Sequence, residues 1–129
     1  MRAALNLAKK GLGFVAPNPC VGAILVKNDK IVGQGYHSKV GGPHAEVVAI
    51  NKAGKLAQDA DLYVTLEPCN HYGKTPPCTE LIAKSGIRKV YIACTDINPL
   101  VSGRGMEYLK SKNIEVELGV LESEAVNLN

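Results

Sequence analysis

Asp61-Leu62-Tyr63-Val64-Thr65-Leu66-Glu67-Pro68-Cys69, running on through Asn70 to Pro77 and then Cys78-Thr79, decides the fold of this 129-residue chain. Its first six residues read as a buried strand whose end delivers Glu67-Pro68-Cys69 into a polar Gly/Pro loop. Pro76-Pro77-Cys78-Thr79 then opens a helix that Gly86 closes. Strand, loop and helix in that order are the repeating unit of an α/β sheet. Downstream, a strand at Arg88–Ala93, a helix around Gly105 to Ser111 and a strand at Ile114–Leu118 continue it. Upstream, Gly41-Gly42-Pro43 opens a helix from His44 to about Ala53, which Gly54 ends. Before that, Val21–Val26 and Ile31–Tyr36 form a hairpin about Asn28-Asp29-Lys30, although the favoured Asn-Gly pair is missing. Ala3, Ala4, Leu5, Leu7 and Ala8 mark a first helix ending at Gly11 or Gly13, and Ala16-Pro17-Asn18-Pro19 a rigid turn. The predicted fold is a three-layer α/β/α domain on a mixed central sheet of about five strands, spanning residues 1–129 with no internal repeat or linker.

Composition narrows the function. Fifteen basic against twelve acidic residues give a net charge of +3, too mild a balance for a nucleic-acid binder. There is no Trp, one Phe and no basic run, so neither the groove nor the aromatic platforms of a single-strand binder are visible. No stretch of about 18 apolar residues predicts a membrane span. The mixed apolar and Lys pattern after Met1-Arg2 is not that of a signal peptide, so the cytoplasm is expected. In that compartment four cysteines read as metal ligands or free thiols rather than disulfides. Cys20 opens one apolar run and Cys94 ends another, so both are expected to be buried thiols outside any site.

Chemistry concentrates in His44-Ala45-Glu46 and the Cys69/Cys78 pair. Two residues on a helix subtend about 200°, whereas ligands sharing a metal on one helix face sit three or four apart. His44 therefore reads as a ligand and Glu46 as a carboxylate aimed over the helix end. Three ligands with a free carboxylate are the parts of a catalytic zinc site, which keeps its fourth position open for water; a structural zinc takes four protein ligands. With two thiolates and a neutral imidazole such a zinc is formally neutral, so the water's proton needs a carboxylate to receive it. Taken alone, Glu46 reads as an ordinary first-turn acid favoured by the helix dipole, and its neighbours decide for the free carboxylate. The eight residues between the cysteines should loop out while the two sulfurs converge. His71 in that loop is a competing ligand, but a fourth ligand would close the site and leave Glu46 without a task. His71 and Lys74 are better used on an anionic substrate, Lys being a good point-charge phosphate binder. Asp96-Ile97-Asn98-Pro99 offers an acid and an amide for sugar hydroxyls, or simply Asx-plus-Pro turn chemistry. Val101-Ser102-Gly103-Arg104-Gly105 reads as a tight turn with an exposed Arg, only weakly like a phosphate loop.

His-Ala-Glu with a later Pro-Cys…Cys element resembles the zinc nucleobase-deaminase signature. Four stretches together carry a closer resemblance: Pro17-Asn18-Pro19-x-Val21-Gly22-Ala23, Gly42-Pro43-His44-Ala45-Glu46, Thr65-Leu66-Glu67-Pro68-Cys69-x-His71-x-Gly73-x-Thr75-Pro76-Pro77-Cys78, and Asp96-x-Asn98-Pro99-x-Val101-x-Gly103. They resemble the riboflavin-biosynthesis pyrimidine deaminases, a branch of the cytidine-deaminase-like superfamily, nearly end to end. The long cysteine spacing is specific to that branch, whereas His-Ala-Glu is shared by the whole superfamily. The resemblance implies a cytidine-deaminase-like fold and zinc-dependent hydrolytic removal of the 2-amino group of a diaminopyrimidinone carrying a ribosylamino 5′-phosphate. It implies one zinc per chain on His44, Cys69 and Cys78, and acid/base duty for Glu46. Substrate contacts fall on Asn18, His37, His71, Lys74, Asp96 and Asn98, with Lys74 on the phosphate. Ile97 departs from the pattern, since the family often has Pro there. Homo-oligomers are common in the superfamily, and many members continue into a reductase domain. Nothing in these residues is expected to bind a nicotinamide, so the reductase is expected on another chain or on a part from which this domain is excised. Rival readings are a deaminase of guanine, cytidine, dCMP or tRNA adenosine, and a non-catalytic zinc-stabilised binding module.

Overall fold

The computed structural model describes residues 1–73, 75–99 and 101–129. Among the described residues eleven elements follow one another: α1 (Arg2–Lys9), β1 (Gly22–Lys27), β2 (Lys30–Tyr36), α2 (Ala45–Ala53), a 3-10 turn (Gly54–Ala57), β3 (Asp61–Leu66), α3 (Cys78–Lys84), β4 (Lys89–Cys94), α4 (Arg104–Ser111), β5 (Glu115–Leu118) and α5 (Glu122–Leu128). The five strands form one sheet in the order β2-β1-β3-β4-β5. β1 is antiparallel to both β2 and β3, whereas β3, β4 and β5 run parallel. The expected mixed sheet and three layers are therefore present, with most boundaries shifted by no more than one residue.

Two physical devices close the hairpin and seat its helix. Asn28 and Asp29 both take left-handed backbone angles, φ 52° and 63°, which is the primed turn that suits the twist of paired strands. Asn and Asp enter that region more readily than other side chains, so the turn forms without glycine. Gly33 on β2 then lets α2 lie directly on the sheet: a Cβ there would sit 2.2 Å from the Ala49 carbonyl oxygen.

Alternation along the strands sorts residues to two cores. Ala23 and Leu25, Leu62 and Val64, and Val90 and Ile92 point to one face, where Ala45, Ala49 and Ile50 of α2, Ile82 of α3 and Leu109 of α4 cover them. The opposite face is covered by α1 and α5, with Leu5, Ala93 and Ala125 fully or almost fully buried. The sequence pattern does not announce α5. Seven residues with one buried position, Ala125, give too short a pattern for periodicity. Its helical state rests on packing against β4 and α1. The Asn129 side chain beyond it accepts the Cys20 N–H at 2.7 Å and donates to the Cys20 carbonyl at 3.3 Å. Cys20 and Cys94 are buried free thiols, as expected. Among the described residues no helix is long and apolar enough to cross a membrane.

Candidate metal centre and active site

Three chain segments meet beyond the C-terminal end of β3, the place where open α/β sheets form their sites. His44 is the N-cap of α2, Cys69 follows β3 by three residues, and Cys78 is the first residue of α3. Their ligand atoms lie within 4.8 Å of one another, the one such His/Cys/acid group among the described residues. His44 Nδ1 is 3.8 Å from Cys69 Sγ and 3.4 Å from Cys78 Sγ. Tetrahedral zinc with ordinary Zn–N and Zn–S bonds separates its ligand atoms by roughly 3.5–3.8 Å, so donor set and spacing both fit the ion. His71 is exposed and outside the group.

The nine-residue separation of the cysteines is closed by the N-terminus of α3. No side chain caps that helix, and its free N–H groups turn to Cys69 instead. Cys78 N–H donates to Cys69 Sγ at 3.3 Å and Thr79 N–H to the Cys69 carbonyl at 3.2 Å. The buried Thr79 hydroxyl donates to Asn70 Oδ1 at 2.7 Å, fastening the next loop residue. The Cys78 thiol, then the His44 ring and the Cys78 N–H, bring Cys69 down to about 4 against the opposing effect of burial. Cys78 is pushed up, first by that same bond to Cys69 and then by burial. His44 is raised chiefly by its bond to Cys69, with burial opposing.

Glu46, in the first turn of α2, is 3 % exposed. Burial raises its carboxyl to about 7; its own N–H opposes this and the charge of Cys69 adds to it. A carboxyl poised there exchanges protons readily near neutral pH. His37, also buried, sets the histidine ligand's surroundings. Its Nδ1 lies 3.1 Å from the Pro43 carbonyl and its Nε2 3.2 Å from Asn18 Nδ2. A carbonyl can only accept, so Nδ1 carries the proton and Nε2 accepts from the Asn18 amide. The His37 ring meets His44 edge-on at 5.6 Å.

Asn18, His37, His44, Cys69, His71 and Cys78 line one cleft of about 680 Å³. Asp96 lies apart from it, on a smaller cavity of about 140 Å³ that shares Cys69 and His71. Its Oδ1 accepts the Asn98 N–H at 2.9 Å, an Asx turn, and Asn98 is exposed on the same loop. Lys74 lies outside the described residues. Sequence reasoning passed over Glu67, Asn70 and Thr79. The available signal for Glu67 was an acid immediately before Pro-Cys combined with the Gly103-Arg104-Gly105 turn, which supplies its partners.

A mixed α/β sheet with a His/Cys/Cys group at two helix N-termini defines the class, and the chain belongs to it: the model of the cytidine and deoxycytidylate deaminase zinc-binding region matches residues 1–94. Within that class it stands with the riboflavin-biosynthesis pyrimidine deaminases. The diaminohydroxyphosphoribosylamino-pyrimidine deaminase of Buchnera aphidicola subsp. Schizaphis graminum is 49% identical over the whole chain, which covers 88% of that protein. The riboflavin biosynthesis protein RibD of Aquifex aeolicus is 58% identical, again over the whole chain, which spans 36% of the relative's length. Acinetobacter baumannii RibD superposes with a TM-score of 0.98 at 53% identity, over 99% of this chain and 36% of that one.

Proposed function

We propose that this domain is a zinc-dependent hydrolase that removes the 2-amino group of a diaminopyrimidinone ribosylamino 5′-phosphate, releasing ammonia and the corresponding pyrimidinedione. The observation that carries this reading is a buried carboxyl held near 7 beside three converging zinc-type donors. The substrate class follows the Buchnera relative, whose length this chain nearly matches. One zinc per chain is held by His44, Cys69 and Cys78. When bound, the ion would supply Lewis acidity to the attacking water.

The remaining work falls to side chains. Glu46 takes one proton from the attacking water and delivers it to the ring nitrogen, then takes the second from the hydroxyl so formed and gives it to the departing amine. The water oxygen becomes the new carbonyl and nitrogen leaves as ammonia, so atoms balance. His37 fixes Asn18 by accepting from its amide, which leaves the Asn18 oxygen to accept from the pyrimidine. His71 lies along the cleft wall and Lys74 meets the 5′-phosphate, while Asp96 and Asn98 take ribose hydroxyls. The active form is a homo-oligomer.

The test is ammonia release from the ribotide by zinc-loaded protein and by Glu46→Gln. Loss of about 10²–10⁴ in kcat with zinc content unchanged is expected, the range for a general acid/base. A Glu46→Gln protein with full turnover would refute the assigned role.

A further inference from the structure

Glu67 follows β3 directly, two residues before Cys69, and is 6 % exposed. Its carboxylate is enclosed by backbone donors. Oε1 accepts from Asp96 N–H at 3.3 Å and Gly103 N–H at 3.0 Å. Oε2 accepts from Gly105 N–H at 3.1 Å and Met106 N–H at 3.3 Å, in the first turn of α4. Gly103 caps α4 with φ 86°, and no side chain of its own caps that helix. The turn that is only weakly like a phosphate loop in sequence thus holds a carboxylate of the chain itself, that of Glu67.

The two donors on Oε1 are the two ends of the loop 96–103, the loop that carries Asp96 and Asn98. Inside it, Asp96 Oδ1 takes the Asn98 N–H, and the Asn98 carbonyl takes the N–H groups of Val101 and Ser102. Asp96, Asn98, Val101 and Ser102 are tied to one another, so losing the anchor would displace these residues together. The approach is also tight on the opposite side, where a Cβ on Gly105 would stand 2.3 Å from the Pro68 carbonyl oxygen. Cys69 keeps its own fastening through the N–H groups of Cys78 and Thr79, so the metal group does not depend on Glu67.

We propose that Glu67 is a positioning residue that staples the 96–103 loop at the correct distance from the metal centre, and thereby sets affinity for the ribose end of the substrate. Its contribution to affinity rests on the function proposed above; the staple itself does not. Four N–H donors converging on two oxygens need a carboxylate. Glutamine keeps the shape but offers one accepting oxygen and turns an NH₂ donor against two N–H donors.

Glu67→Gln, zinc-loaded, is compared with the parent by zinc content, ribotide kinetics and amide hydrogen exchange. We expect unchanged zinc, kcat within about threefold, KM raised at least about tenfold, and exchange at Gly103 and Gly105 accelerated by a similar factor, as for loss of a charge-assisted bond. Glu67→Asp, which keeps the charge, recovers part of the KM. Unchanged exchange in Glu67→Gln overturns the staple whatever the substrate is. Equal loss of kcat, or loss of zinc, assigns Glu67 to general stability and overturns its positioning role. A parent protein silent on the ribotide refutes the proposed function and, with it, the affinity role, while exchange still decides the staple. If Glu67→Gln does not fold, Glu67→Asp takes its place: faster exchange at Gly103 and Gly105 with a rise confined to KM supports the proposal, and unchanged exchange contradicts it.

Discussion

At Glu46 two effects work in the same direction. Burial of the carboxyl and the charge of Cys69 both disfavour its ionisation, and together they outweigh the favourable pull of its own N–H and of His44. That poise has a cost in the metal-free fold. Below the ordinary carboxyl value of 4.5, folded and unfolded chains both hold the proton and Glu46 costs nothing. As pH rises through about 7 the folded state must either keep a proton that the unfolded state releases or ionise in a buried site, so stability falls. Compared in chelator by urea unfolding, wild type should lose ground to Glu46→Gln between pH 5 and pH 8, by roughly 3 kcal/mol at full effect. A gap that stays constant with pH, or closes as pH rises, contradicts the assigned poise. The depressed Cys69 thiol pushes stability the opposite way in both proteins, so the difference between them reports Glu46 together with its coupling to Cys69, Cys78 and His44. At this scale the metal group was legible because few residue types bind zinc and their order was distinctive. Glu67 was not, because an acid at a strand end looks solvated until the chain 36 residues later folds over it.

The elements were legible where a pattern is long or a breaker is unambiguous. β3 was placed residue for residue, and α2 was bounded by Pro43 and Gly54. α5 was not, since one buried alanine in seven residues leaves no periodic signal and its stability is tertiary. The contact of α2 with β2 gives this scale its prediction. Gly33→Ala forces a methyl group into the Ala49 carbonyl, and α2 carries Glu46 in its first turn with His44 at its cap. Overpacking of this kind costs about 1–3 kcal/mol. The urea midpoint should drop with an unchanged slope, and zinc affinity should weaken as the helix shifts. A Gly33→Ala protein matching the parent in both would show that the helix has room to move.

Across the whole molecule the zinc-type donors tie the α2 cap, the β3–α3 loop and the start of α3 into one point. An ion that binds only this folded arrangement stabilises it by mass action. Removing zinc should therefore lower Tm by at least about 5 °C, and restoring one equivalent per chain should recover it. A Tm indifferent to zinc would mean that these donors hold no ion. The mixed sheet and its layers followed from alternating strands and helices, but the strand order did not, nor did the C-terminal contribution to the α1 face, which depends on contacts between the two ends of the described chain. The most direct measurement for the central claim is ammonia release by the zinc-loaded protein from the diaminopyrimidinone ribotide, set against dCMP, cytidine and guanine under identical conditions. Turnover of the ribotide with the other three silent is the predicted result. Release from one of the others with none from the ribotide would contradict the substrate assignment, and silence on all four would contradict the deaminase reading of the site.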